Sequence, residues 1–161
     1  MFSYSEKLKM LGYRPLEKDV HYEDDLSDKL STTIKYTVPK SYLQFLRSYP
    51  QTGVFEVGVL SKGIESAPCA PSGLYPISVL YATCVNLPYD LLQLNSIKCE
   101  MPDYLLAIGE DAGGNYFCID LRQDKNGAVY FLDHELDIDE GLYLLSTDFE
   151  SFIANLVADI D

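Results

Sequence analysis

Apolar residues recur along this chain in two rhythms, and the switches between them predict its elements. Tyr4, Leu8 and Leu11 stand at helical spacing over residues 3–11, and Gly12 is placed to end that helix. Residues 16–37 are polar, with acids clustered at 23–28, and Leu26 and Leu30 can face inward from a short helix. Pro39 opens a clearer helix, because its fixed φ and missing N–H cost nothing in a first turn. Tyr42, Phe45, Leu46 and Tyr49 follow the i, i+3, i+4, i+7 stripe, and Pro50 stops it. The rhythm then becomes extended. VFEVGVL at 54–60 and the run Ile77–Tyr81 read as strands, parted by SAPCAPSG at 66–73, which is too irregular for either element. Tyr89–Leu94 reads as a short apolar helical turn.

The stretch 104–135, YLLAIGEDAGGNYFCIDLRQDKNGAVYFLDHE, holds three apolar runs joined by two turn-forming clusters. The clusters run from Glu110 to Asn115 and from Asp124 to Gly127. Gly and Asn accept the positive φ of tight connections, and β-branched and aromatic residues suit a pleated surface. A three-stranded antiparallel meander is expected, with carboxylates at its edges. Beyond it, Thr147 and Glu150 form a capping-box pattern. Phe149, Phe152, Ile153, Leu156 and Ile160 supply the core-facing stripe of a terminal helix. Helices, then strands, then a helix predict an α+β fold. It is a mostly antiparallel twisted sheet with N-terminal helices and a C-terminal helix packed against it. No repeat or linker divides the sequence, so residues 1–161 are expected to form a single domain.

Charge is more informative here than overall composition. The chain of 161 residues is 47% hydrophobic, enough for a sizeable core. Its 25 acids and 12 bases leave a net charge of −13. Residues 1–99 carry ten acids and ten bases; residues 100–161 carry fifteen acids against Arg122 and Lys125 alone. Such a field repels nucleic acid and anionic membranes and attracts basic proteins, although it also serves plain solubility. Thirteen tyrosines and no tryptophan fit a core or an interface equally. Cys69, Cys84, Cys99 and Cys118 are widely spaced with no CxxC pair, which suggests reduced thiols. The first residues lack a continuous apolar h-region, and no run approaches the roughly 18 residues of a membrane span. A cytoplasmic protein is expected.

Candidate chemistry is sparse. Asp133 to Glu140 alternates acids like a calcium loop, but the sixth and twelfth positions are Ile138 and Leu144, where Gly and a bidentate Glu are needed. On a strand this alternation would gather the acids on one solvated face. His21 and His134 have no Cys or His at zinc-ligand spacing, so no metal is expected. There is no GxSxG elbow, and GEDAGG at 109–114 is neither GxGxxG nor a P-loop. Asp111 and Asn115 are instead expected to bond backbone amides within a hairpin turn. His134 is the one candidate base; its plainer role is a hydrogen-bonded histidine at a strand end.

The order of three blocks resembles the SUKH superfamily, also described as Smi/Knr-type domains. They are VPKSYLQFL at 38–46, YLLAIGEDAGGNYFCIDL at 104–121, and GAVYFLDHE at 127–135 followed by STDFESFIANL at 146–156. The chain departs from the family at Tyr49–Gly53, where an Asn-Gly-Gly-like turn is usual, and at Leu132, where tryptophan is usual. The resemblance implies an α+β fold without enzymatic activity or cofactor. It also implies an immunity protein that binds a cognate toxin domain, one with a basic surface if the toxin is a nuclease. A regulatory or scaffold protein, and a small acid/base enzyme using His134, are the other readings. The acids expected at the partner surface are Glu110, Asp111, Asp124, Asp133, Glu135, Asp137, Asp139 and Glu140, which lie in or beside turns and strand ends.

Overall fold

The computed structural model describes residues 4–17, 26–97, 101–123 and 127–160. Helix α1 (Tyr4–Met10) buries Leu8 and stops where Gly12 takes a φ of +68°, a left-handed conformation that glycine adopts without a Cβ penalty. Helix α2 (Leu26–Thr33) buries Leu26 and Leu30, as the spacing predicts. Helix α3 (Lys40–Ser48) follows Pro39 at its cap position and buries Tyr42, Phe45 and Leu46.

The strands are β1 (Tyr13–Pro15), β2 (Gly53–Lys62), β3 (Leu74–Leu80), β4 (Leu105–Glu110), β5 (Tyr116–Asp120), β6 (Val129–Leu132) and β7 (Leu142–Ser146), which lie side by side in chain order. Each neighbouring pair is antiparallel. Strand β8 (Leu156–Ala158) returns to pair with β2, beyond the segment that β1 covers. A 3-10 turn (Leu87–Tyr89) and α4 (Leu91–Ile97) join β3 to β4; α5 (Ile138–Gly141) joins β6 to β7; α6 (Phe149–Ala154) precedes β8. The expected α+β fold and the meander of β4, β5 and β6 are present.

Two devices close this sheet. The β3–β4 ladder is short, and Asn95 of α4 bonds both the N–H and the C=O of Ala107, at 2.9 Å each, in place of a strand neighbour. At the far edge, the N–H groups of Ile64 and Glu65 donate to Leu145 and Leu144, and Glu65 Oε1 accepts the N–H of Leu144. The sheet therefore curls until β7 meets the chain leaving β2, which protects an edge that could otherwise recruit another strand.

Register fixes what each face holds. Phe117 pairs with Phe131 on the face packed against α6, where Phe117 and Phe152 rings lie 6.0 Å apart. Around them Phe149 joins α1, α3 and α6 through Tyr4, Tyr42 and Phe45, with centroids 5.0–5.9 Å from its own. Glu110, Tyr116, Leu132 and Leu142 form a row on the opposite face of the sheet, one partner from each of β4 to β7.

Three expectations are corrected. The terminal helix ends at Ala154; Leu156 is buried from β8, and Ile160 is 91% exposed. An apolar residue three or four positions on satisfies helix and strand burial alike, so spacing alone misassigns it. The cap of α6 is Asp148, whose Oδ1 accepts the N–H of Ser151 at 2.7 Å, rather than Thr147. The acidic run from Asp133 is a turn leading into α5, not a strand, because Asp133 Oδ1 captures the N–H of Glu135 and bends the chain there.

Candidate functional site

The β4–β5 connection is built by one aspartate. Asp111 Oδ1 accepts the N–H groups of Gly113 and Asn115 at 2.9 Å each, while Asn115 Nδ2 donates to Asp111 Oδ2. Gly114 completes the turn at a φ of +88°. This arrangement frees Asn115 Oδ1 to face the next connection. It accepts the backbone N–H of His134 at 3.1 Å and lies 2.7 Å from His134 Nδ1. A carboxamide oxygen only accepts, so Nδ1 carries the proton and donates.

This latch gathers most of the sequence-predicted acids. It ties the end of β4 at Glu110 and the connection at Asp111 to the connection that carries Asp133, Glu135, Asp137, Asp139 and Glu140. Glu135, Asp137, Asp139 and Glu140 are exposed, whereas Glu110, Asp111 and Asp133 are half-buried and committed to local hydrogen bonds. Asp124 lies outside the described residues. The loop 66–73 also borders this end: burial pushes the Cys69 thiol above its ordinary value, and the nearby Asp133 and Asp111 carboxylates add to that.

Sequence reasoning missed the apolar part. Met101, Tyr116, Leu132, His134, Leu136 and Ile138 line a hollow of about 80 Å³ beside the acids. Leu136 and Ile138 alternate with acids in the sequence, which is the signal that could have located it. Tyr116 and Met101 reach it only through sheet register and a separate loop.

Glu110 is the titratable group of this end with the clearest environment. Burial raises its carboxyl above the ordinary 4.5, against the hydrogen bond that the Tyr81 hydroxyl donates to Oε1 at 2.8 Å; Asp111 adds to the rise. A carboxyl raised on folding favours the folded state when protonated. Stability linked to it therefore falls as pH rises through the window between the ordinary and the raised value. Glu110→Gln keeps an acceptor for Tyr81 and is expected to abolish that slope. Urea midpoints of both proteins from pH 4 to 7 would show it, and parallel curves would refute it.

A larger hollow, of about 240 Å³, lies where α3 begins, between Pro39, Lys40, Asp120, Arg122 and Gly127. Asp120 is 1% exposed and takes Arg122 in a fork, with Nη2 at 2.8 Å and Nε at 3.1 Å. The guanidinium also stacks 3.9 Å from the Tyr104 ring centre. Those groups satisfy one another and hold the end of β5. Among the described residues, no three His, Cys, Asp or Glu side chains converge to hold a metal ion. No helix among them is long and apolar enough to cross a membrane.

Comparison with known proteins adds a family. The family model described as SMI1 / KNR4 family (SUKH-1) matches residues 23–155. The chain is also similar to the SPbeta prophage-derived uncharacterized protein YokK of Bacillus subtilis (strain 168). The two are 28% identical over 142 residues, covering 80% of this chain and 71% of that protein. No solved structure matches the chain.

Proposed function

Because the chain belongs to the SMI1 / KNR4 family (SUKH-1), we propose that it is an immunity protein whose single domain neutralises a cognate toxin by occupying it. The partner is a protein toxin domain with a basic surface, such as the phosphate-binding cleft of a nuclease. The observation that carries this reading is the gathering of acids from two connections at one end of the sheet by the Asn115–His134 latch. Docking there breaks no bond and requires no cofactor. Held by a carboxamide rather than a carboxylate, His134 suits the role of a positioning residue better than that of a base.

The test is co-expression with the C-terminal domain of an exported toxin encoded immediately upstream of the gene. Survival of the host and co-purification of the pair are expected; death of cells producing both proteins would remove the reading. The acidic excess further predicts steered association, worth about 10–1000-fold in rate at low salt. Association measured by stopped flow between roughly 0.05 and 0.5 M salt should slow by at least about 10-fold. Rates independent of salt would refute steering while leaving neutralisation standing.

A further inference from the structure

One sheet face reaches the apolar hollow through Tyr116 and Leu132. Tyr116 and Leu142 stand in the row with Leu132, and Tyr130 and Leu144 pair in the next row. All four of these tyrosines and leucines, Leu132 apart, remain half-buried, whereas Phe117 and Phe131 on the opposite face are shut away from solvent. The hollow opens at the end of this face. Its lining residues His134, Leu136 and Ile138 alternate along the chain with Glu135, Asp137 and Asp139, which are exposed. Leu136 is itself 39% exposed. None of those three acids forms an ion pair among the described residues. Arg122, the one Lys or Arg described after residue 100, is already held by Asp120 and Tyr104.

We infer that this hollow is the anchor of the toxin-docking surface and receives one lysine or arginine side chain of the toxin domain. The inference rests on the immunity reading and extends it to a specific contact. The aliphatic stem packs on Leu132, Leu136, Ile138 and Met101, and the cation sits among Glu135, Asp137 and Asp139. Charge complementarity selects this occupant. A purely apolar side chain would cover the hollow while leaving three carboxylates without counter-charge at a drying interface, and an acidic one would be repelled. A basic side chain matches both surfaces, since its stem is apolar and its head is charged. The small volume fits a single side chain, not a helix.

The experiment uses the full chain and the toxin domain encoded upstream, with affinity read by titration calorimetry. Leu136→Arg puts a cation of the chain's own into the hollow. It should weaken binding by about 100-fold, the loss seen when a central anchor is removed. Ile160→Arg, a substitution at a 91% exposed residue beyond β8, should bind as the unaltered chain does. If Leu136→Arg unfolds, the exposed pair Asp137→Asn with Asp139→Asn should keep the fold and weaken binding by about 10-fold. Equal affinities for the hollow variant and the Ile160→Arg control overturn the anchor and leave the immunity reading intact. Failure of the unaltered chain to bind or protect removes both.

Discussion

Truncating Phe149 to alanine is expected to lower the unfolding free energy by about 3–5 kcal/mol, the range for a buried aromatic whose cavity cannot collapse. Phe149 is 1% exposed at the start of α6. Its ring lies 5.0 Å from Tyr42, 5.2 Å from Phe45, 5.9 Å from Tyr4 and 6.1 Å from Phe152. Those rings come from three helices, so no single element can shift to fill the void. The tilted and edge-on geometries add a favourable quadrupole term that alanine also forfeits. Urea unfolding should show a lower midpoint at an unchanged slope. A loss below about 1 kcal/mol would mean that the helices repack freely, contrary to the interlocking described above.

Replacing Arg122 by alanine is the second large effect, about 3 kcal/mol, because it strands a buried carboxylate. Among the described residues, the Asp120 carboxylate keeps only the backbone N–H of residue 122 once the side-chain fork is gone. The low end of the range applies, since the guanidinium is partly exposed and water can follow it inward. Asp120→Asn should cost less: it removes the buried charge and retains an oxygen for the backbone N–H and for Nε. Paired thermal melts of the two variants decide this, and the opposite ranking would mean that the stranded Asp120 carboxylate finds water and costs little.

Much of the fold was legible because local chemistry and burial agreed. The Gly and Asn clusters at 110–115 and around Gly127 marked the meander, and the Tyr42–Phe45–Leu46 stripe marked α3. Strand β7 was hidden because Leu142–Leu144 are only half-buried and follow an acidic run, so neither rhythm stands out. Strand β8 was hidden because Leu156 falls at a helical interval from Phe152 and Ile153, and only the vacant edge of β2 decides for pairing. Strand β1 is three residues long and contains Pro15, which gives sequence patterning almost nothing to act on. The acids of the candidate site were visible as residues, but their convergence was not. It depends on Asn115 reaching across to His134, a contact between two connections that no spacing rule encodes.

The pairing of β8 with β2 also bears on when the sheet can close during synthesis of the chain. Val59 finds its neighbour in Ala158, so the outer flank of β2 stays open until residue 158 has cleared the ribosome. Loop-closure entropy makes that final docking slow relative to the local meander. A nascent chain interrupted after β7 would display a bare strand flank and lack the Phe149 keystone. Completion of β8 would then set the delay between the start of synthesis and the first fully closed sheet.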